Sequence, residues 1–331
     1  MTEWKARILR RMEEDLSAGR IPGASVCVCR GGQILLEGHV GNATPSSLFR
    51  IASMTKPITA VAVLKLWEGG KLELTDPVIK YLPGFDPRLQ IRHLLTHTSG
   101  LSQSRYAENI TDAEREDPDQ LLDYIANVPF DHAPGTHAEY SPVAAFALLT
   151  AIVEQVAGVD FPTFAEREIF LPCDMKNTTF LPTKAQWAAL VPMEDTKPGC
   201  VFESYPVTNP LGGAGLVSCM EDYKHFAQML LQKGQFQGKR ILKEETVIAM
   251  SSTQVPESVQ PGSVRWGYGV RVVVDKNRLP IGAFGWSGAY GTHFWIDPAN
   301  DLFAIYMKNS RQDGGASAIT AAHLEEDVYT K

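Results

Sequence analysis

The spacing of apolar residues predicts a helix, a β-hairpin and a second helix in the first part of the chain. Apolar positions every three or four residues predict the first helix over 4–18. Two short runs of strand-forming residues, 24–30 and 33–40, flank a Gly-Gly pair and predict the hairpin. From Thr55 to a second Gly-Gly pair the chain is again apolar and reads as a helix.

The pattern becomes mainly helical after Gly70 and returns to strands near the C-terminus. The helices predicted in the middle cover 91–97, 117–127, 141–156 and 164–170. Ser218 and Glu221 form a capping-box pattern that predicts another helix as far as Gly234, and 242–251 predicts one more. The strands predicted next are 268–274, 283–286, 291–296 and 302–307, followed by a closing helix over 316–328.

Strands from the two ends of the chain most simply join one antiparallel sheet. The predicted fold class is therefore α+β, with a sheet flanked by helices and an inserted all-helical domain. The expected boundaries are 1–70 with 206–331 for the sheet domain and 71–205 for the helical domain. A cleft between two such parts is a common place for an active site.

Composition excludes several partners. Hydrophobic residues make up 44 % of the 331 residues and charged residues 21 %, which is typical of a globular protein. The net charge of −7 argues against nucleic acid, since no basic run offsets it. No apolar run reaches the roughly 20 residues needed to span a membrane, and 3–20 lacks the apolar core of a signal peptide.

The cysteines favour a cytoplasmic location. Their number is odd and their spacing scattered, which is typical of reduced thiols: Cys27, Cys29, Cys173, Cys200 and Cys219. Cys27 and Cys29 alternate along a predicted strand, share one of its faces and are expected to be small core residues. Metal binding at this spacing is the minor alternative.

Ser53 and Lys56 are the first candidates for catalysis. Residues three apart on a helix lie on one face, so the hydroxyl and the amine can touch. A lysine in a dry pocket can lose its proton and act as the base that a serine nucleophile needs. The helix N-terminus also favours an anion. The alternative is a capping serine beside a solvated lysine.

Other candidates have stronger structural alternatives. Tyr140 lies between a loop and a helix and could relay protons if a neighbouring ammonium lowered its pKa, but without further context a packed tyrosine is the expected interpretation. His93 and His97 have the spacing of a zinc helix without the accompanying glutamate, so a structural role is expected. Ser287 lies in a near match to G-x-S-x-G, yet strand rather than helix follows it, which argues against an esterase nucleophile elbow.

Three ordered motifs resemble those of the serine β-lactamase and penicillin-binding-protein superfamily, and most of all its class C β-lactamase-related esterases. Ser53-Met-Thr-Lys56 matches S-x-x-K, Tyr140 matches the tyrosine of Y-x-N, and Trp286-Ser-Gly288 matches the third motif. Further stretches typical of the family are 93–101, 169–175 and 212–218, so the resemblance covers residues 21 to about 307.

The resemblance implies a β-lactamase/transpeptidase-like fold and a role for each motif. Ser53 would be the nucleophile, and Lys56 with Tyr140 would form the base system. The backbone N–H groups of Ser53 and Ala289 would form the oxyanion hole. The third-motif residues would bind substrate: Trp286, Ser287 and Gly288. No metal or organic cofactor is implied.

Two departures from the lactamase pattern favour an esterase. Trp286 replaces the lysine that meets the substrate carboxylate in lactamases, and Pro142 replaces the asparagine of the second motif. The resulting expectation is a carboxylesterase that acts on small or medium esters with little or no β-lactamase activity. An acyltransferase, a D-amino-acid amidase or peptidase, and a non-catalytic scaffold remain the alternatives.

The sequence leaves the natural substrate, stereochemical preference and oligomeric state open. Aromatic residues that could line the cleft are Tyr106, Phe130, Tyr268 and Tyr290.

Overall fold

A computed structural model describes residues 3–101, 110–193 and 205–330. Tyr106 and Cys200 lie outside these residues. The described helices are α1 Glu3–Ser17, α2 Thr55–Glu68, α3 Ile91–Leu95, α4 Asp112–Glu116, α5 Pro118–Asn127, α6 Ala144–Ala157, α7 Phe161–Ala165, α8 Lys184–Ala188, α9 Met220–Leu231, α10 Glu244–Met250 and α11 Ile319–Tyr329. The strands are β1 Gly23–Arg30, β2 Gln33–Gly41, β3 Leu48–Arg50, β4 Val217–Cys219, β5 Gln235–Phe236, β6 Lys239–Arg240, β7 Val264–Trp266, β8 Arg271–Val273, β9 Phe284–Ser287, β10 His293–Asp297 and β11 Leu302–Met307.

Strands from both chain ends form one seven-stranded antiparallel sheet in the order β2-β1-β11-β10-β9-β8-β7. The hairpin β1–β2 turns at Gly31 and Gly32, whose φ angles of 58° and 72° suit glycine. The predicted fold class is confirmed. β8 pairs only with Phe284 and Gly285 of β9, so within the described residues the next part of β9 has no strand partner on that side.

Each face of the sheet packs against its own helices, because successive strand residues point to opposite sides. In β10, Phe294 and Ile296 join the large core that also contains α2, α6 and α9. Trp295 joins a second core with residues of α1 and α11. The two buried cysteines of β1, Cys27 and Cys29, lie in the large core as predicted, and burial raises their pKa values.

Two predicted helix starts are wrong. The helix predicted from Ser141 begins at Ala144, although the Ser141 hydroxyl still accepts the Ala145 N–H at 3.2 Å. Ser218 does not cap α9, because it lies in β4 and its hydroxyl bonds to Thr178 at 2.7 Å. In both places a distant residue takes part: the Ser141 N–H donates to His97 Nδ1, and the Ser218 hydroxyl bonds to Thr178 instead of capping the helix.

Two other predicted helices are shorter or different in kind. The helix predicted over 91–97 ends at Leu95, and His97 has a φ of +53°, so His93 and His97 do not share a helix face. The helix predicted over 164–170 is α7 followed by a π-helical turn, Glu166–Phe170.

Between 71 and 205 the described residues form helices α3–α8 without a strand of the main sheet. The division into a sheet domain and an inserted helical domain remains a prediction, and the large core is shared by α2 and α6 across that boundary. In the described parts of the chain no single helix is long and apolar enough to cross a membrane. One pair of helices, α6 with Phe161–Phe170, would together be long and apolar enough, but the two are bent by 76° relative to each other. Most of the side chains of this pair lie in the large core.

Candidate active site

Ser53 lies in a 3-10 turn, Ala52–Met54, that joins β3 to the N-terminus of α2. Ala52 has a left-handed φ of +46°, a strained conformation for a residue with a side chain. A hydrogen bond fixes this turn to the start of β10, because the hydroxyl of Thr292, the residue before β10, donates to the Ile51 carbonyl at 2.9 Å. The strained turn therefore places Ser53 where the helix dipole favours negative charge.

The Lys56 amine contacts Ser53 as the i, i+3 spacing predicts. Its Nζ lies 3.2 Å from Ser53 Oγ, 2.6 Å from the Pro142 carbonyl oxygen and 2.7 Å from the Gly213 carbonyl oxygen. Lys56 is 1 % exposed, and burial lowers its pKa well below the ordinary lysine value. The lowered pKa favours the neutral form of the Lys56 amine.

The three partners of Lys56 determine where its protons lie. The Pro142 and Gly213 carbonyls can only accept, so they take both N–H groups of a neutral amine. The remaining lone pair then faces Ser53 Oγ and can accept the hydroxyl proton. The arrangement is that of a base next to a nucleophile.

Tyr140 approaches Ser53 from the other side, and its hydroxyl donates to Ser53 Oγ at 2.8 Å. The ring is partly exposed, but burial of the hydroxyl raises the Tyr140 pKa to about 12, against smaller lowering effects of Ser53 and Trp286. The Lys56 amine therefore does not lower the Tyr140 pKa, contrary to the possibility that the sequence suggests. Tyr140 is a protonated phenol that donates to the nucleophile.

His97 holds the loop that carries Tyr140. Its Nδ1 accepts the Ser141 N–H at 3.1 Å, its backbone carbonyl accepts the Glu139 N–H at 2.9 Å, and its ring lies 4.7 Å from the Tyr140 ring. Burial, aided by Lys56, holds the pKa of His97 well below the ordinary value, so the ring is neutral. The structural role predicted for this histidine fits these contacts.

The third-motif residues border the same turn. The Trp286 ring lies 5.2 Å from the Tyr140 ring. A Cβ at Gly288 would overlap the Ile51 carbonyl, so only glycine allows this approach to the Ser53 turn. Ala289 is exposed at the following turn. The oxyanion hole formed by the N–H groups of Ser53 and Ala289 remains a prediction.

A family model, Beta-lactamase, matches residues 9–327 of the chain. The chain belongs to the β-lactamase and penicillin-binding-protein superfamily. It is 29 % identical over 384 aligned positions to "Esterase EstB" of Burkholderia gladioli, covering 98 % of this chain and 95 % of that protein. Within this superfamily the chain is a serine hydrolase.

Solved structures with low identity share the fold. The structure described as "EstCE1, a hydrolase with promiscuous acyltransferase activity" has a TM-score of 0.86 at 23 % identity and covers 99 % of this chain and 98 % of its own. A structure described as a family VIII carboxylesterase has a TM-score of 0.82 at 18 % identity and covers 99 % and 97 %.

At the two positions where this β-lactamase-family chain departs from the lactamase pattern, the structure supplies apolar or backbone groups. Trp286 packs against Trp266 with ring centroids 4.6 Å apart, and Trp266 stacks on Tyr140 at 6.1 Å. Pro142 contributes its carbonyl to Lys56 instead of a side-chain amide. The wall beside Tyr140 is therefore aromatic.

Sequence reasoning missed several parts of the site. No sequence motif marks Trp266, which lies in β7, just before the strand predicted over 268–274. The contribution of the Pro142 and Gly213 carbonyls cannot be predicted from residue type, although the glycine-rich stretch 212–218 is one of those that resemble the family. Of the suggested aromatic residues, Tyr268 lines a separate groove of about 570 Å³ with Arg92 and His93. Tyr290 is buried, and Phe130 packs against the large core.

Proposed function

We propose that the protein is a carboxylesterase that cleaves small to medium carboxylic esters through an acyl-enzyme on Ser53. The observation that carries the proposal is the position of Ser53 Oγ, 3.2 Å from the desolvated Lys56 amine and 2.8 Å from the Tyr140 hydroxyl. Similarity to a protein named as an esterase over nearly the whole chain supports the ester as substrate.

The proposed reaction moves one proton in each half. Ser53 attacks the ester carbonyl while its proton passes to the neutral Lys56 amine, and the N–H groups of Ser53 and Ala289 stabilise the developing oxyanion. The proton then passes through the Tyr140 hydroxyl to the leaving alcohol. In the second half the same two groups take a proton from water as it attacks the acyl-enzyme, and they pass that proton to Ser53 Oγ when the bond to Ser53 breaks and the acid is released.

The ester panel that tests this proposal is p-nitrophenyl acetate and butyrate with the β-lactam nitrocefin alongside. We expect both esters to be hydrolysed and nitrocefin to be processed at least about 100-fold less efficiently, because two charge-assisted or polar contacts are replaced by an aromatic wall and a proline. The measurement is kcat/KM for each compound. Nitrocefin turnover equal to ester turnover would contradict the preference, and no ester turnover would contradict the esterase.

Replacing Tyr140 with phenylalanine is expected to lower kcat/KM for p-nitrophenyl butyrate by about 10²–10⁴, because the proton donor to Ser53 Oγ is lost. Since the Tyr140 pKa is raised to about 12, the wild-type rate should show no decline from its ionisation between about pH 7 and pH 10. Tyr268→Phe is the matched control and should keep most activity. An alkaline decline in that range that disappears in Tyr140→Phe would contradict the assignment.

A further inference from the structure

A groove of about 570 Å³ lies apart from the candidate active site. Its described lining residues fall within 88–98, 134–136 and 254–268, and no residue of the candidate active site is among them. The groove is therefore a second place where a small molecule can be held.

The charged side chains of this groove leave one positive charge uncompensated. Two arginines line it, and among the described lining residues there is no aspartate or glutamate. Arg88 is already paired, because its guanidinium lies 2.6 Å from the Asp86 carboxylate. In the described part of the chain the Arg92 side chain makes one hydrogen bond, from Nε to the neutral amide oxygen of Gln90 at 2.7 Å. Both terminal amino groups of Arg92 therefore remain able to donate to a ligand.

His93 supplies a second donor beside Arg92. The Gln90 backbone N–H donates to His93 Nδ1 at 3.2 Å, so this nitrogen carries a lone pair. Burial, aided by the Arg92 charge, lowers the pKa of His93 to about 4, so near neutral pH the ring is uncharged and its proton lies on Nε2. A Cβ at Gly135, another lining residue, would come within 3.1 Å of Nε2, so glycine leaves this N–H open to the groove.

Tyr268 adds a third donor. Burial raises the pKa of its hydroxyl, and the Arg92 charge acts in the opposite direction, so the two side chains are neighbours. The raised pKa keeps the phenol protonated near neutral pH. Within the described ranges this hydroxyl has no hydrogen-bond partner, so it too can donate to a ligand.

The chemistry of the lining favours one class of ligand. The planar end of the Arg92 guanidinium presents two parallel N–H groups, which match the two oxygens of a carboxylate. A single uncompensated charge suits a ligand with a single negative charge. The apolar part of the lining suits a compact hydrocarbon body: Pro134, Val255, Pro256 and Val259.

We propose that this groove is a binding site for organic monocarboxylates, with the carboxylate on Arg92 and the His93 Nε2–H and the hydrocarbon body against the apolar lining. The site is independent of the proposed ester reaction. Arg92 is exposed, so water weakens its contact with the ligand, and dissociation constants on the order of 1 mM are expected.

The test is a titration of the histidine-labelled protein with phenylacetate, followed by long-range proton–nitrogen NMR at constant ionic strength. Phenylacetamide is the uncharged ligand of the same shape, and inorganic phosphate is an anion without a hydrocarbon body. The His93 signals are assigned with His93→Phe. Phenylacetate should shift the His93 Nε2 signal and bind at least about tenfold more tightly than either of the other two, because each lacks one of the two contacts. The Kd comes from folded-state signals and does not depend on the folded fraction.

The two arginines of the groove provide a matched comparison. Arg92→Gln should weaken phenylacetate binding by about tenfold, and Arg92→Lys, which keeps the charge without the planar fork, should lie between Arg92→Gln and wild type. The double variant Asp86→Asn with Arg88→Gln removes a guanidinium without changing the net charge. It should change Kd by less than about twofold, since that ion pair is exposed. Ser53→Ala should bind phenylacetate as wild type does.

Three results would overturn the proposal. Phenylacetamide or phosphate binding as tightly as phenylacetate would exclude a monocarboxylate site. An Arg92→Gln effect no larger than that of the Asp86→Asn and Arg88→Gln double variant would show that Arg92 does not contact the ligand. Loss of the His93 shift in Ser53→Ala would place the ligand in the active site instead. None of these measurements uses an ester, so a protein that hydrolyses no ester would refute the proposed function and leave this test unchanged.

Discussion

Ser53→Ala is expected to lower ester hydrolysis by at least about 10⁴-fold, because the variant lacks the oxygen that forms the acyl-enzyme. KM for any remaining activity should change little, since the apolar wall and the oxyanion N–H groups stay in place. The measurement is p-nitrophenyl butyrate hydrolysis, together with mass spectrometry of the protein after brief exposure to the ester. Wild type should gain the mass of one acyl group, and the variant should gain none.

Two other serine variants make this result specific. Ser25→Ala is a matched control, since Ser25 lies in β1, is also buried and bonds to a histidine, His39, at 2.8 Å. It should keep most activity. Ser287→Ala should remain within about tenfold of wild type, because it loses a hydrogen bond to His293 and not the nucleophile. An inactive Ser287→Ala beside an active Ser53→Ala would reverse the nucleophile assignment.

Lys56→Met is expected to lower kcat/KM by about 10³-fold or more, because an apolar side chain of similar length replaces the amine that contacts Ser53 Oγ. In wild type the active form has a neutral Lys56. Its pKa is lowered by burial, so kcat/KM should rise as the pH increases through that pKa and then level off. The measurement is the pH profile of both proteins with the spontaneous ester hydrolysis subtracted. A variant that keeps the wild-type rate and profile would exclude Lys56 as the base.

The same lysine makes a testable contribution to stability. Unfolded Lys56 has an ordinary pKa near about 10.4, whereas the folded value is lower, so between the two values the unfolded state binds one more proton. The free energy of unfolding of wild type, relative to Lys56→Met, should therefore rise with pH in that interval by up to about 1.4 kcal/mol per pH unit. Urea unfolding of both proteins at several pH values measures this slope. A difference that falls with rising pH would mean that folding raises the Lys56 pKa.

Local patterns predicted those features of the fold that depend on neighbouring residues. The hairpin β1–β2, its Gly31-Gly32 turn and strand β11 agree closely with their predicted bounds, because a period of two and a turn need only short-range information. The predicted start of α6 and the predicted cap of α9 were wrong. In these two places the Ser141 N–H bonds to His97 Nδ1 and the Ser218 hydroxyl bonds to Thr178, and neither partner is specified by the local sequence.

The sequence by itself determined that Ser53 and Lys56 touch, because a helical turn brings residues three apart together whatever surrounds them. It did not determine that the lysine is desolvated, since the Lys56 contacts with Pro142 and Gly213 join residues 86 and 157 positions apart. The contact between Tyr140 and Ser53 spans 87 positions. Only tertiary packing excludes water from this amine and aligns its lone pair with the hydroxyl, and that exclusion lowers the Lys56 pKa.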